Sequence, residues 1–345
     1  VLGDWLQEQG DPRGQLIALQ LAGKHREALA MIDEQKAFLL GPLAEHAVCY
    51  DHLYHDPAPD AFEWSFGFIH AARISYMQPW VEAFEGEIAD VLEMLLRHPS
   101  GRFLAKLTLM YNNHTADHDL QPVIDVLVRL PPPTLRELVI GDKVDQISWY
   151  QVGDLGKLWS KVPGLERLDI EAGQFDLGKL DLPALRHAVF ETGGLSRESG
   201  RAIAAAKWPK IERLDVFYGD NDYGGECNIE QVKPLLARTD MPALRHLAVC
   251  DAVFADQICA ALPNAKLLPQ LKTLDLSKGI MTDDGAKILA ANKSAFVHLD
   301  VLDVSDNYLT KAGIAALRGV AKKVIAIDQK DDDGDPEFRY VTVGE

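Results

Sequence analysis

Cysteine is scarce in this chain. The four thiols, Cys49, Cys227, Cys250 and Cys259, form no C-x-x-C pair and keep no regular spacing, the pattern of buried or incidental thiols in a reducing compartment. Long apolar runs are missing too: none approaches the roughly 20 residues that cross a bilayer. Val1-Leu2-Gly3-Asp4-Trp5 shows no basic stretch followed by an apolar one, so no signal peptide is visible and the expected compartment is the cytoplasm. Positive charge is in the minority, with 35 Lys and Arg against 52 Asp and Glu, a net charge of −17. That balance repels phosphate backbones and anionic membrane surfaces, so neither nucleic acid nor membrane is expected as a partner, whereas a basic protein is compatible. A phosphate-cradling glycine loop with Lys-Ser/Thr and a G-x-S-x-G elbow are both absent. No cofactor and no enzymatic activity are expected.

What the chain does contain is one phrase, apolar–x–x–apolar–x–apolar, eight times at intervals of 20 to 35 residues. Leu104/Leu107/Leu109 opens the series, Leu165/Leu168/Ile170 and Leu271/Leu274/Leu276 lie within it, and Leu299/Leu302/Val304 closes it. Repetition at this period predicts a stack in which each unit buries its apolar face on its neighbours. Helical periodicity follows most strand phrases, as over 81–96, 229–237 and 283–291, and Ser196, Thr282 and Thr310 stand as caps just before such stretches. The predicted fold is therefore α/β, a leucine-rich repeat solenoid of the ribonuclease-inhibitor-like kind with a parallel concave sheet and convex helices. The unit between Leu168 and Ala188 is too short for a full helix and predicts an extended or 3₁₀ connection. Glycines 173, 193, 219 and 279 stand where an asparagine would ladder between rungs, as Asn112 and Asn307 do.

Ahead of the repeats, residues 2–54 read as helices suited to cap the first rung. The run Asp4-Trp5-Leu6-Gln7-Glu8-Gln9-Gly10-Asp11-Pro12-Arg13-Gly14-Gln15-Leu16-Ile17-Ala18-Leu19-Gln20 resembles the repeat-companion domain that precedes leucine-rich repeats in myxobacteria and planctomycetes. The resemblance covers only these first tens of residues, and Gln15-Leu16 departs from the usual acidic–aromatic pair. It implies a bacterial leucine-rich repeat protein and implies no reaction. In structural terms Asp11 is a candidate N-cap with Pro12 at the first helical position, and Asp4, Arg13 and Gln20 are candidate staples between helices. The expected domains are a helical cap over 1–60, the repeat array over 61–330, and an acidic loop with a closing strand over 331–345. Trp64, Phe66 and Phe68 are expected to seal cap against array.

Side chains alternate along a strand, so the positions between the repeat leucines face away from the core. Aligned, they form columns: Arg167, His187, Arg213, His246 and Thr273; then Asp169, Val189, Asp215, Ala248, Asp275 and Asp303; then Glu171, Glu191, Phe217, Cys250, Ser277 and Ser305. An acidic stripe beside a basic one is either a self-satisfied ion-pair ladder or a docking face with Phe217 and Tyr218 as aromatic anchors. The docking reading is preferred. It makes the protein an interaction module or scaffold whose partner-binding residues are Asp169, Glu171, Glu191, Arg213, Asp215, Phe217, Tyr218, His246, Asp275 and Asp303.

Two other functional readings compete. His114 and His118, four apart with Asp117 and Asp119, have the spacing of a helical metal pair, but the segment reads as a loop and lacks the glutamate of H-E-x-x-H. The cluster His52/His55 is no stronger. Asp331-Asp332-Asp333-Gly334-Asp335 fails as a calcium loop, because Gly334 at position six puts Gln329 at one and Tyr340 at twelve. The remaining alternative is a subunit that contacts a larger complex through its convex helices. Oligomeric state is not legible.

Overall fold

The computed structural model describes residues 2–46, 61–74, 88–110, 119–141 and 147–344. The chain falls into two compact units, one comprising 1–118 with 122–142 and the other 119–121 with 143–345. Cys49, the histidine clusters at 52/55 and 114/118, Asn112 and the first part, 81–87, of the helix expected over 81–96 lie outside the described residues.

In the first unit, four helices, α1 (Leu2–Glu8), α2 (Pro12–Leu21), α3 (His25–Glu34) and α4 (Lys36–Leu39), precede the strands. The Gly10-Asp11-Pro12 turn works as a helix start: Asp11 caps α2 by accepting from the Arg13 amide at 2.9 Å, and Pro12 opens the helix. The Arg13 guanidinium lies 5.7 Å from the rings of Phe38 in α4 and of Phe68. It folds back onto Asp11 through Nε and Nη2, the latter at 2.6 Å. Two glutamines act as staples: Gln7 Nε2 donates to the Gly14 carbonyl, while Gln20 donates to the Trp64 carbonyl and accepts from the Gly67 amide. β1 (Phe62–Ser65) and β2 (Phe68–Ile74) form an antiparallel hairpin, and β2 continues in parallel to β3 (Lys106–Leu109) and β4 (Glu137–Ile140). Helices α5 (Ile88–Arg97) and α6 (Gln121–Arg129) connect these strands. Trp64 packs on the Leu16/Ala28/Met31/Leu39 cluster and Phe68 on Leu6 and Ile17. Phe66 does not join them; it sits in the hairpin turn at φ 47° and is 59% exposed.

The second unit carries a sheet in which each strand pairs with the next in parallel: β6 (Arg167–Glu171), β8 (His187–Glu191), β9 (Arg213–Gly219), β10 (His246–Ala252), β11 (Thr273–Asp275), β12 (Val301–Asp303) and β13 (Lys323–Ile325). The short unit lacks a helix. Its extended connection includes β7 (Gln174–Asp176), which pairs with β5 (Gln151–Asp154). Elsewhere α7 (Arg197–Ala205), α8 (Ile229–Leu236), α9 (Ala255–Ala261), α10 (Asp283–Ala291) and α11 (Lys311–Ala316) follow strands and pack side by side. Ser196, Thr282 and Thr310 cap their helices as their positions predict, and Asn228 with Gln231 forms a capping box.

The register puts Leu168, Ala188, Leu214, Leu247, Leu274, Leu302 and Val324 in one row. Of these, the six from Leu168 to Leu302 are 0% exposed. Full burial of each leucine contributes roughly 1.5–3 kcal/mol. The repeated apolar phrase thus forms one continuous buried row along the parallel sheet. Asn307 ladders as expected, accepting from the Met281 amide and donating to the Leu276 and Val304 carbonyls. The mid-array glycines are not interchangeable. Only Gly219 takes a positive φ, 65°, where an added Cβ would lie 1.7 Å from the Gly193 carbonyl oxygen; Gly173 instead admits the Ser148 backbone.

The end of the chain differs from expectation. No closing strand forms over 338–343; one 3₁₀ turn, Pro336–Phe338, is followed by irregular extended chain. The edge of β13 attracts none of these amides because other acceptors claim them.

Candidate functional site

Between the buried leucines, the expected columns hold in register: Arg167, His187, Arg213, His246 and Thr273 align, as do Asp169, Val189, Asp215, Ala248, Asp275 and Asp303. On this displayed face much of the charge is already paired. Arg167 reaches Asp169 at 2.6 Å and Arg213 reaches Asp215 at 2.6 Å, each a guanidinium folded along its own strand. His246 Nε2 stands 2.9 Å from Asp215 Oδ1 across the strand gap. Burial alone would raise the Asp215 carboxyl, but His246 and Arg213 outweigh it and hold the group below the usual carboxylate range. Asp275 and Asp303 each accept from the backbone amide two residues on, Ser277 and Ser305. Glu191 lies 3.6 Å from Lys278, and Glu171, like Glu191, is only partly buried.

Tyr218 is not on this face. It is 2% exposed and packs edge-on against Phe254 at 5.6 Å, because it shares the parity of Leu214 and Val216. Phe217 has the displayed parity but is only 9% exposed, since something lies over it.

Lys278 Nζ lies over the Phe217 ring at 5.0 Å, and the rest of the cover is the chain's own C-terminal segment. Val343 packs on a cluster of Phe217, Ala248 and Cys250. The amides of Thr342 and Val343 both donate to Asp251 Oδ1 at 2.9 Å, and the Thr342 amide also lies 3.0 Å from the Lys278 carbonyl. Thr342 Oγ1 donates to Asp306 Oδ2 and accepts from Lys330 Nζ, each at 2.8 Å. Lys330 sits 5.1 Å from the Tyr340 ring and 5.4 Å from that of Tyr308. Earlier in the segment, the Tyr340 amide donates to the Tyr308 hydroxyl, and Arg339 pairs with Asp332 at 2.7 Å. The segment therefore crosses the strand ends from β12 toward β9.

A repeated backbone device makes this crossing possible. Asp251, Lys278, Asp306 and Asp328 each stand four residues past Leu247, Leu274, Leu302 or Val324, the aligned row of the sheet, and all are left-handed, with φ of 55°, 67°, 55° and 53°. Aspartate tolerates this conformation better than most residues. Three of the four touch the segment. Sequence reasoning missed them, although the recurring aspartate four residues beyond Leu247, Leu302 and Val324 was the available signal.

Asp251 is 0% exposed, and its Oδ2 is buried with no hydrogen-bond partner. Burial pushes the carboxyl up to about 7, against the opposing pull of the Val343 and Thr342 amides and of Lys278 and Lys330. Burial holds the described cysteines above the usual thiol range, raising Cys250 and Cys259 and pushing Cys227 up to about 12. Among the described residues no three His, Cys, Asp or Glu gather as a metal would require, and no helix is long and apolar enough to cross a membrane. The acidic loop is built of local turns, with Asp331, Asp332 and Asp335 each accepting from the amide two residues on. In the first unit a cavity of about 800 Å³ is lined by Trp5, Phe68 and Phe103 with Arg13, Arg97 and Arg129, but Asp11 already pairs Arg13 and Glu93 pairs the other two arginines.

No protein-family profile and no curated protein matches the chain. Among solved structures it is similar to a Bacteroides fragilis protein determined by the Northeast Structural Genomics Consortium, with TM-score 0.66 and 25% identity over 78% of this chain and 76% of that one. It also aligns with the TLR13–ssRNA13 complex (0.39, 15% identity, 75% and 32% covered) and with an internalin from Listeria monocytogenes (0.29, 14%, 76% and 88%). Scores that low do not establish a shared fold, so the Bacteroides structure and the strand register carry the architecture. The class they define is a mixed α/β protein with a leucine-rich-repeat-like parallel sheet.

Proposed function

We propose that the protein is a bacterial, cytoplasmic leucine-rich repeat scaffold whose array forms a solenoid behind a repeat-companion cap over 1–60, and that it binds a basic protein partner on the displayed face of its sheet. The observation carrying this reading is the continuous register that brings Glu171, Glu191, Asp275 and Asp303 to one surface. Parallel strands about 4.8 Å apart space these carboxylates to meet successive basic side chains of an extended or helical segment. Asp215 and Asp169 contribute through structure, since Asp215 is committed to Arg213 and His246 and Asp169 to Arg167. The test is affinity capture from the source cell with the wild-type chain and with Glu191→Lys/Asp303→Lys. A captured basic partner lost with the double reversal supports the reading; capture unchanged by it overturns the reading.

A further inference from the structure

The cradle of Phe217, Ala248 and Cys250 with the Asp251 carboxylate is built like a peptide site, and it is already filled. Its occupant presents two successive backbone amides to one carboxylate oxygen, a β-branched side chain to an apolar patch, and a hydroxyl between Asp306 and Lys330. Every one of these contacts is one that an extended peptide from another protein offers equally well, since main-chain amides give affinity and single pockets give selectivity. Val343 is the only described residue of the segment lying on Phe217, Ala248 and Cys250. The segment holds no regular strand or helix of its own beyond the Pro336–Phe338 turn, so its release disrupts no secondary structure. We propose that this cradle is a binding site for an extended peptide with a β-branched residue at the Val343 position, and that residues 339–344 are its resident, autoinhibitory competitor.

The inference rests on the displayed face being the interaction surface, and it adds both the chemistry of the occupant and a gate. A tethered competitor acts at an effective concentration on the order of millimolar. A weak peptide in solution is therefore excluded until the segment lifts.

The experiment uses the full chain as wild type, Val343→Asp and Thr342→Pro. The first substitution puts a charge on the apolar patch, and the second removes an amide that donates to Asp251. Alkylation of Cys250 by iodoacetamide is followed by peptide mass spectrometry, with Cys259, buried among the helices, as the internal control. Binding of a fluorescent synthetic peptide with the sequence of residues 336–344 is followed by anisotropy. The expected result is Cys250 alkylation accelerated about tenfold or more in both variants, Cys259 unchanged, and peptide binding to the variants but not to the wild type. Unchanged Cys250 alkylation in both variants would overturn the proposal, as would an exposed Cys250 without peptide binding. Equal alkylation of Cys259 in both variants would show the segment to be an integral part of the fold, which also overturns it. None of these readouts involves the captured partner, so the gate and the scaffold reading fail separately.

Discussion

Asp251 Oδ1 lies 2.9 Å from the Val343 backbone nitrogen, 92 residues further along the chain. The carboxylate stands at the end of a central strand, and through it the repeat sheet holds the segment that covers its own displayed face.

The first prediction concerns pH. With the segment docked, burial raises Asp251 from 3.8 to about 7, so the docked state holds a proton that a hydrated Asp251 releases. A raised carboxyl stabilises the docked, folded state below its ordinary value and progressively less as pH rises from 3.8 to about 7. The limiting slope is about 1.4 kcal/mol per pH unit. The Thr342 and Val343 amides should therefore exchange faster at pH 8 than at pH 6 after correction for intrinsic rates. Asp251→Asn, which keeps an acceptor and cannot ionise, should abolish the difference. Equal corrected rates in the wild type would refute the linkage.

The second concerns the interior ladder. Asn307 is 0% exposed and satisfies Met281, Leu276 and Val304 at once. Asn307→Ala strands those groups and should lower unfolding stability by about 2–4 kcal/mol, read from urea denaturation. A loss within experimental error would mean that water replaces the amide.

The third separates two glycines with similar φ. Gly219→Ala places a Cβ 1.7 Å from a carbonyl oxygen, whereas Gly334 (φ +83°) has nothing within 4 Å of that position. Gly219→Ala should cost more than about 3 kcal/mol and Gly334→Ala about 1 kcal/mol. Thermal melts of the two variants decide it, and equal shifts would contradict the close approach.

The fourth tests a link between repeats. Asp256 Oδ1 accepts from the Thr282 and Gly285 amides and Oδ2 from Thr282 Oγ1, and Asp283 accepts from the Thr310 amide and hydroxyl in the same way. The starts of α10 and α11 are thus each secured by an aspartate of the preceding helix. Asp256→Ala and Thr282→Ala should each destabilise by about 1–2 kcal/mol and couple in a double-mutant cycle. Additive effects would show that the two side chains act independently.

Period and alternation made most of the repeat sheet legible in the sequence. Leu168 through Leu302 occupy one buried row because a two-residue side-chain alternation admits no other register once the leucines are inside. The helix caps were equally local, resting on Ser196, Thr282 and Thr310. The candidate face was read less well, and the reason is tertiary. Ion pairs such as Arg213–Asp215 depend on which rotamer a long side chain adopts, and column positions leave that open. Tyr218 suggests an anchor by its aromatic character, but its parity with Val216 places it inside. The cover over Phe217 was out of reach of periodicity, because residues 339–344 have none and their partners lie as far away as Asp251. The alternating apolar residues Val341 and Val343 pointed to a strand, but the left-handed residues ending β10 to β12 provide nearer acceptors than the edge of β13.

Hydrogen exchange of the complex with the captured partner tests most directly whether the displayed face is the working surface. The expected footprint is protection across the exposed ends of β6 to β12, together with faster exchange at Thr342 and Val343 as the segment is displaced. Protection confined to helices α7 to α11, with residues 339–344 unchanged, would contradict it.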